Sequence, residues 1–168
     1  MTKIDDPNNI VNGPDWDHYD ARKSVPSFSC WRIHPNAQLP TRAHDTDVGW
    51  DIYTVEPVSF ATTQYLPVRT GLVIQPPAGY YFELVPRSST FKKFGLVLTN
   101  SIGIIDPTFC GPEDEVVGLW YATREVEVPV GTRLMQLIPR QLLKTNMVDA
   151  TGLDFPVVNR GGVGSTGA

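Results

Sequence analysis

The sequence has little cysteine and no long apolar run. Cys30 and Cys110 are the only cysteines in 168 residues, and they form neither a CxxC pair nor the spacing of a zinc site. A disulfide between them is compatible with the sequence, but nothing requires it. The first residues, MTKIDDPNN, contain no apolar signal core, and no apolar run is long enough to span a membrane. We therefore expect a cytoplasmic protein, in a reducing compartment, with no membrane association.

Several other functional signals are also missing. The formal net charge is -4, so a general affinity for the nucleic acid backbone is not expected. The three histidines, His18, His34 and His44, show no metal-ligand spacing and no paired nucleophile, and Cys110 has no histidine near it in sequence to act as its base. There is also no Rossmann fingerprint. We therefore set aside histidine-based metal or nucleophile chemistry, a cysteine nucleophile and dinucleotide binding.

Proline and glycine, by contrast, are abundant, with 15 and 14 residues. They divide the chain into short segments, which favours strands and turns over helices. A first strand is predicted at 28–32, and from Val55 to Val85 short apolar runs recur about every ten residues, a spacing typical of a sandwich or barrel. At this length we expect one all-β domain at 28–151, between a polar extension at 1–27 and a glycine-rich arm at 152–168.

The only predicted helix covers Thr90–Phe94. Ser88 or Ser89 would be its N-cap, and Gly95 would end it in a left-handed conformation. Its free N–H groups lie near Arg87 in sequence, which together would make an anion site. A capped surface turn with Arg87 in a structural ion pair explains the same residues equally well.

Two further stretches contain polar residues at strand ends. The runs Leu96–Thr99 and Ile102–Ile105 surround Asn100-Ser101, which predicts a hairpin turn, and Asp106-Pro107 follows. In the stretch His44–Thr54, alternation predicts a strand that contains Asp51. Taken singly, each of these polar residues is more simply explained as turn chemistry.

The last part of the domain contains a predicted strand with two polar residues, Arg133 and Gln136. Three positions apart, they would point to opposite faces, with Gln136 sharing a face with Leu134 and Ile138. A glutamine on an apolar face needs a partner, which makes it a candidate ligand contact, although a neighbouring backbone group would satisfy it equally well. The composition of the tail, GGVGSTGA, suits phosphate binding through N–H groups and hydroxyls, but it lacks the lysine and the following helix of a P-loop. Taken alone, a disordered terminus is the simpler explanation of the tail.

The order and spacing of these motifs resemble the trimeric dUTPase family from about Ser29 to Gly167. The family has five ordered motifs, and all five have counterparts here: DVGWDIYT (47–54), PRSS (86–89), NSIGIIDPTFCG (100–111), RLMQ (133–136) and GGVGSTG (161–167). The resemblance implies a distorted jelly-roll-like β-barrel, assembled as a homotrimer with active sites between subunits. It also implies hydrolysis of dUTP to dUMP and pyrophosphate with Mg²⁺.

The resemblance assigns a role to each motif. Asp106 would be the general base that activates water for attack on the α-phosphorus. Arg87, Ser88 and Ser89 would hold the phosphate chain, and Gln136 would contact an inner phosphate. Asp51 would support either the water shell of the metal or the arginine.

The resemblance also assigns the recognition of the base and sugar. Asn100 would read the uracil edge, and the hairpin with Gly103 and Ile105 would leave no room for a 5-methyl group. Phe109 would pack on the sugar. In the arm, Gly164, Ser165 and Thr166 would close over the outer phosphates, with a further contact from Arg160.

The sequence departs from the family pattern at several positions. Thr108 and Phe109 stand where the third motif usually has Asp and Tyr, so the phenol is lost. Val163 replaces the aromatic residue that stacks on uracil, and Arg160 lies two residues away from the usual arginine position. A PEDE insertion follows Gly111.

Two alternatives to a dUTPase are compatible with the sequence. The string IDPTFCG leans toward dCTP deaminase, which has the same fold, but the required Glu would fall at Val116, one residue from Glu115. A dUTPase-fold binding or regulatory protein with weak catalysis is the second alternative, motivated by the altered fifth motif.

Overall fold

The computed structural model describes residues 26–153. Within this range eleven strands and one short helix follow one another, so the predicted mostly-β fold is confirmed. The elements in chain order are β1 (Ser29–Arg32), β2 (Trp50–Tyr53), β3 (Val58–Phe60), β4 (Tyr65–Arg69), β5 (Leu72–Gln75), β6 (Tyr80–Pro86), α1 (Thr90–Phe94), β7 (Leu96–Leu98), β8 (Gly103–Ile105), β9 (Val117–Ala122), β10 (Val126–Val128) and β11 (Arg133–Gln141).

The strands form four antiparallel sheets. The largest has the order β2-β11-β6-β8, and a second has the order β4-β9-β7; β1 pairs with β5, and β10 pairs with β3. Most neighbours in these sheets are far apart in sequence, as when β2 pairs with β11. The fold therefore depends on long-range pairing rather than on a series of local hairpins.

The core lies between the inner faces of these sheets. In β9, Gly118, Trp120 and Ala122 are buried while the alternate residues are more exposed, which is the period of a strand with one face inward. Trp120, Phe60 and Phe82 are the largest fully buried side chains. Each aromatic side chain of this size buries on the order of 150–250 Å², so these residues contribute strongly to stability.

The short helix lies where the sequence predicts it. Ser89 occupies the N-cap, but its side chain makes no capping hydrogen bond. The first turn is held instead by Thr90, whose hydroxyl donates to the Leu134 carbonyl at 2.6 Å. At the other end Gly95 has φ 67°, and its N–H donates to the Phe91 carbonyl, as expected for a left-handed C-cap.

The predicted hairpin around Asn100-Ser101 is wrong. The two strands do not pair with each other, because β7 pairs with β9 and β8 pairs with β6. Ser101 has φ 59° and its N–H donates to the Leu98 carbonyl, so the chain makes a tight turn there. This turn carries the chain from the three-stranded sheet into the four-stranded one.

The prediction that Arg133 and Gln136 point to opposite faces is also wrong. A bulge between Arg133 and Met135 places one extra residue in β11, and both Leu134 and Met135 are fully buried. One additional inward residue brings Arg133 and Gln136 onto the same outer face. Gln136 consequently shares its face with Ile138 but not with Leu134.

Across residues 26–153, no helix has the length and apolar character needed to cross a bilayer.

Candidate functional site

An acidic side chain held between two arginines is the centre of the candidate site. Asp51, on β2, is largely buried, with a side chain 10% exposed. Its Oδ1 forms an ion pair with Arg87, 2.6 Å from Nε, and its Oδ2 accepts a hydrogen bond from Arg133 Nη1 at 3.1 Å. Arg87 follows β6 and Arg133 begins β11, so strand pairing brings the three together from distant parts of the chain.

This pairing gives the site its electrostatic character. One carboxylate between two guanidinium groups leaves an excess of one positive charge. The side chains of Arg87 and Arg133 remain 29% and 44% exposed, so both have donors facing solvent. A guanidinium offers five N–H donors in a planar fork suited to phosphate oxygens. The arrangement can therefore bind an anion while Asp51 fixes the orientation of the arginines.

A cleft of about 340 Å³, which we call the Arg87 cleft, opens beside these groups. It brings together four of the predicted site residues, Asp51, Arg87, Ser88 and Gln136. Gln136 lies opposite Asp51 in the β2–β11 register. The cleft is also lined by Ala43, Asp47, Val48, Gly49 and Ile138. Asp47, Val48 and Gly49 belong to the motif DVGWDIYT, but their sequence pattern predicts no individual role for them.

Helix α1 contributes less to anion binding than the sequence suggests. It has only five residues, and the Arg87 N–H already donates to the Leu134 carbonyl. So short a helix has only a small dipole, because the macrodipole is a sum over aligned peptide units. The Arg87 side chain is accordingly the main positive group in the lining of the cleft, and Ser89 is the N-cap beside it.

The remaining predicted residues within 26–153 form a second group along the chain, at 100–109, from the turn after β7 to the turn after β8. The Asn100 carboxamide lies over Gly103, since a Cβ at Gly103 would be 3.5 Å from Asn100 Nδ2 and 3.1 Å from Leu84 Cβ. Ile105 is buried in the core, so it would contact a ligand only through its backbone. Gly103 is the position where this surface leaves room beside the carboxamide.

Asp106 and Phe109 stand at one turn of this second group. The Asp106 carbonyl accepts from the Phe109 N–H at 3.0 Å, and Cys110 Sγ donates to the Pro107 carbonyl at 3.4 Å. Asp106 is exposed and Phe109 is 39% exposed. Neither residue, nor Asn100, is among those that line the Arg87 cleft.

Glu115, the residue considered for deaminase chemistry, is engaged in a structural role. It accepts from Arg69 Nε at 3.0 Å and from the Gly71 N–H at 2.7 Å, and its Oε2 lies 2.9 Å from Arg69 Nη2. The same hydrogen bond and charge raise the pKa of Arg69 above its usual value. A carboxylate tied by three donors is poorly placed to give a proton to a bound base.

The described residues supply no protein cage for a metal ion. Between Pro26 and Leu153, no three His, Cys, Asp or Glu side chains are grouped closely enough to ligate one. Both oxygens of Asp51 pair with arginines, so Asp51 acts here on the arginines. Its contact with a metal-bound water stays a prediction. The donor set fits a Mg²⁺ held mainly by substrate phosphates and water.

The predicted contacts from the arm lie outside the described residues. Arg160, Gly164, Ser165 and Thr166 belong to this set, as does Val163.

The fold and the cleft define a class of protein first: a mostly-β protein with a polar cleft lined by an arginine, a serine and a glutamine, in which a second arginine pairs with the same aspartate. The model of the dUTPase family matches residues 35–167. The chain belongs to the dUTPase family.

Sequence relatives agree with this assignment. The deoxyuridine 5'-triphosphate nucleotidohydrolase of Picosynechococcus sp. is 33% identical over 144 residues, which cover 81% of this chain and 95% of the relative. The SPbeta prophage-derived deoxyuridine 5'-triphosphate nucleotidohydrolase of Bacillus subtilis is 36% identical over 133 residues, covering 77% and 92%.

Solved structures agree on the fold. The dUTPase of Staphylococcus bacteriophage 80alpha, solved with dUpNHpp, superposes with a TM-score of 0.73 at 20% identity, covering 86% of this chain and 100% of that one. A dUTPase mutant from phage phi11 of S. aureus, described with a structural Mg(II) ion, has a TM-score of 0.67 at 20% identity, covering 77% and 99%.

Proposed function

We propose that this protein hydrolyses dUTP to dUMP and pyrophosphate. The observation that carries the proposal is the Asp51–Arg87–Arg133 cluster beside Ser88 and Gln136, in a chain whose dUTPase match extends over 35–167. A triphosphate carries several negative charges, and fixed guanidinium groups stabilise them without reorganising at the moment of reaction.

The phosphate chain binds in the Arg87 cleft. Arg87 and Ser88 hold the phosphate oxygens by charge-assisted hydrogen bonds, and the Gln136 carboxamide donates to an inner phosphate. Asp51 keeps Arg87 in the orientation that this contact requires. Arg87 is the positive group in the lining of the cleft, which also contains Asp47 and Asp51. Phosphate binding therefore depends on the oriented N–H donors of Arg87 rather than on a net positive charge of the cleft.

The base and the attacking water are handled by the second group. Asn100 reads the uracil edge, for which a carboxamide both donates and accepts, and Phe109 packs on the deoxyribose. The Asp106 carboxylate accepts a proton from water as the oxygen attacks the α-phosphorus. The bond to the β-phosphate oxygen breaks, and pyrophosphate leaves.

The two groups combine in a homotrimer, with the active site between subunits. This part of the proposal is supported by the separation of the groups on one chain, since Asn100 and Asp106 do not line the Arg87 cleft. Exposed apolar side chains near the second group, Val97, Ile102 and Ile104, offer surface for a neighbouring subunit. The arm at 152–168, with Arg160 and Ser165, closes the site over the outer phosphates.

Magnesium takes part through the substrate. Mg²⁺ on the phosphate oxygens would offset their negative charge toward the attacking water. Arg87, Ser88 and Gln136 would hold the phosphate chain from one side and leave its other side accessible to Mg²⁺. Asp51 would act from behind Arg87.

The position of attack is tested by hydrolysis in H₂¹⁸O. Attack on the α-phosphorus places the label in dUMP, whereas attack on the β-phosphorus places it in pyrophosphate. An Arg87→Ala variant, measured in parallel, shows whether turnover depends on the cleft. Label in pyrophosphate, or an unaffected Arg87→Ala variant, would contradict the proposal.

The role of the arm is tested by ending the chain before Gly161. We expect turnover to fall much more than trimer formation, because the arm excludes water from the bound phosphates. Turnover and sedimentation are measured on the same preparation. Full activity in the shortened chain would remove Ser165 and Thr166 from the site.

A further inference from the structure

Gly49 stands at a position where a side chain would enter the candidate site. It immediately precedes β2, and alternation places residues 49 and 51 on the same face of a strand. That face is the one on which Asp51 meets Arg87 and Arg133. Gly49 also lines the cleft itself.

The space that a side chain would need at this position is filled by Gln136. A Cβ built on Gly49 would overlap Gln136 Oε1, and it would lie 2.9 Å from Gln136 Cδ and 3.1 Å from Ile138 Cδ1. Real Cβ atoms essentially never approach another heavy atom within 3.0 Å. The carboxamide therefore lies directly against the backbone of residue 49.

The glycine is not required here by its backbone conformation. Several glycines between residues 26 and 153 have a positive φ, but Gly49 is not one of them. Alanine adopts the other regions of φ without strain. A methyl group here lowers the entropy of the unfolded chain, which favours the variant, so any loss must come from contact with its neighbours. The nearest neighbour is the Gln136 carboxamide.

We propose that Gly49 is a positioning residue: by lacking a side chain, it lets the Gln136 carboxamide lie against β2 and donate to an inner phosphate. This inference rests on the proposed function, because it concerns the same phosphate cleft. A methyl group at residue 49 would push the carboxamide away from β2 into the space that the phosphate occupies. The effect on nucleotide binding would pass through Gln136 and not through Arg87.

A double-mutant cycle tests this dependence. The variants are Gly49→Ala, Gln136→Ala and the double variant, each measured for affinity to dUpNHpp, for kcat/KM with dUTP, and for Tm. We expect Gly49→Ala to lower affinity and kcat/KM about tenfold or more, the size of a lost hydrogen bond to a charged group. The double variant should be no worse than Gln136→Ala within about twofold, because the two changes act on one contact.

The stability of the same variants distinguishes the proposed contact from general damage. Gly49→Ala should change Tm little, because the overlapping group is the end of a flexible side chain that can move aside. A large loss of Tm that Gln136→Ala does not restore would indicate general damage. If Gly49→Ala does not fold, the double variant compared with Gln136→Ala gives the same test. Additive losses in the cycle, or a Gly49→Ala variant equal to wild type, would overturn the inference.

The wild-type protein separates this inference from the proposed function. Wild-type binding and turnover of dUTP with no effect of Gly49→Ala would reject the inference alone. A wild-type protein that neither binds dUpNHpp nor hydrolyses dUTP would reject both.

Discussion

Replacing Asp51 by Asn tests the arginine cluster most sharply. The substitution preserves the shape of the side chain but removes the negative charge between Arg87 Nε, at 2.6 Å, and Arg133 Nη1, at 3.1 Å. The Asn amide accepts from one arginine through its oxygen and turns an NH₂ group toward the other. One charge-assisted contact is therefore lost, and the two guanidinium groups repel each other.

The expected loss of folding stability in Asp51→Asn follows from the burial of Asp51, Arg87 and Arg133. A hydrogen bond to a charged group contributes about 1.5–3 kcal/mol. Arg133 is 44% exposed, so water solvates it after the contact is lost, and we expect a net loss of about 1–2 kcal/mol. For a chain of this length that corresponds to a decrease in Tm of about 2–8 °C.

The catalytic loss should be similar in free energy to the loss of stability. Without its carboxylate partner Arg87 samples other rotamers, and we expect kcat/KM for dUTP to fall about 10–30-fold, since 1.36 kcal/mol corresponds to a factor of ten. A matched control is Glu83→Gln on the same sheet, where a single exposed arginine, Arg140, pairs with the carboxylate at 2.8 Å. That variant should lose at most about 1 kcal/mol and keep kcat/KM within twofold.

The assay combines thermal unfolding at fixed protein concentration with steady-state release of pyrophosphate. Sedimentation of both variants ensures that the same oligomer is compared, because Tm of an oligomer depends on concentration. If Asp51→Asn unfolds and turns over dUTP like wild type, Asp51 does not hold the arginines in the way described. If Glu83→Gln is equally damaging, the effect belongs to the sheet and not to the cluster.

Three further outcomes are expected. Asp106→Asn should bind dUpNHpp with nearly wild-type affinity but lose almost all turnover, because an amide cannot accept the proton of water; wild-type rates would remove its assignment as general base. Asn100→Ala should reduce the preference for dUTP over dCTP, measured as a ratio of kcat/KM, and an unchanged ratio would place uracil recognition elsewhere. Burial raises the pKa of the Cys30 thiol to about 11, partly opposed by Arg32. Iodoacetamide should therefore modify Cys30 at pH 8 about 100-fold more slowly than a thiol with the ordinary pKa of 9.0. The folded state keeps the thiol proton to a higher pH than the unfolded state, so the free energy of unfolding should decrease between about pH 9 and 11. The decrease should be smaller in Cys30→Ser, and an equal pH dependence in the two proteins would contradict the raised pKa of Cys30.

The parts of the fold that were predicted correctly are specified by local patterns. Thr90–Phe94 is a short helix that Gly95 ends, and the strands from Val58 to Pro86 lie within the predicted apolar runs. These strands begin at residues 58, 65, 72 and 80, so they are closer together than the predicted spacing of about ten residues. The failed predictions concern long-range pairing. β7 and β8 are adjacent in sequence and contain apolar runs, but each pairs with a strand of a different sheet, which no local pattern contains.

The site was predicted in part for a related reason. Asp51, Arg87, Ser88 and Gln136 lie in the predicted motifs, and the structure brings them to one cleft. The bulge that turns Arg133 toward Asp51 depends on two consecutive buried residues, Leu134 and Met135. An alternating pattern assigns only one of these to the core, so Arg133 was missed. The sequence signal that could have identified Arg133 as a site residue is its position in the motif RLMQ.

The most direct test of the account is product analysis with dUTP, dCTP, dTTP and UTP, each incubated with the full chain and Mg²⁺ and separated by chromatography. We predict that dUTP alone is converted, in equal amounts, to dUMP and pyrophosphate. Deamination of dCTP, or no turnover of dUTP by protein that still binds dUpNHpp, would contradict the proposed activity.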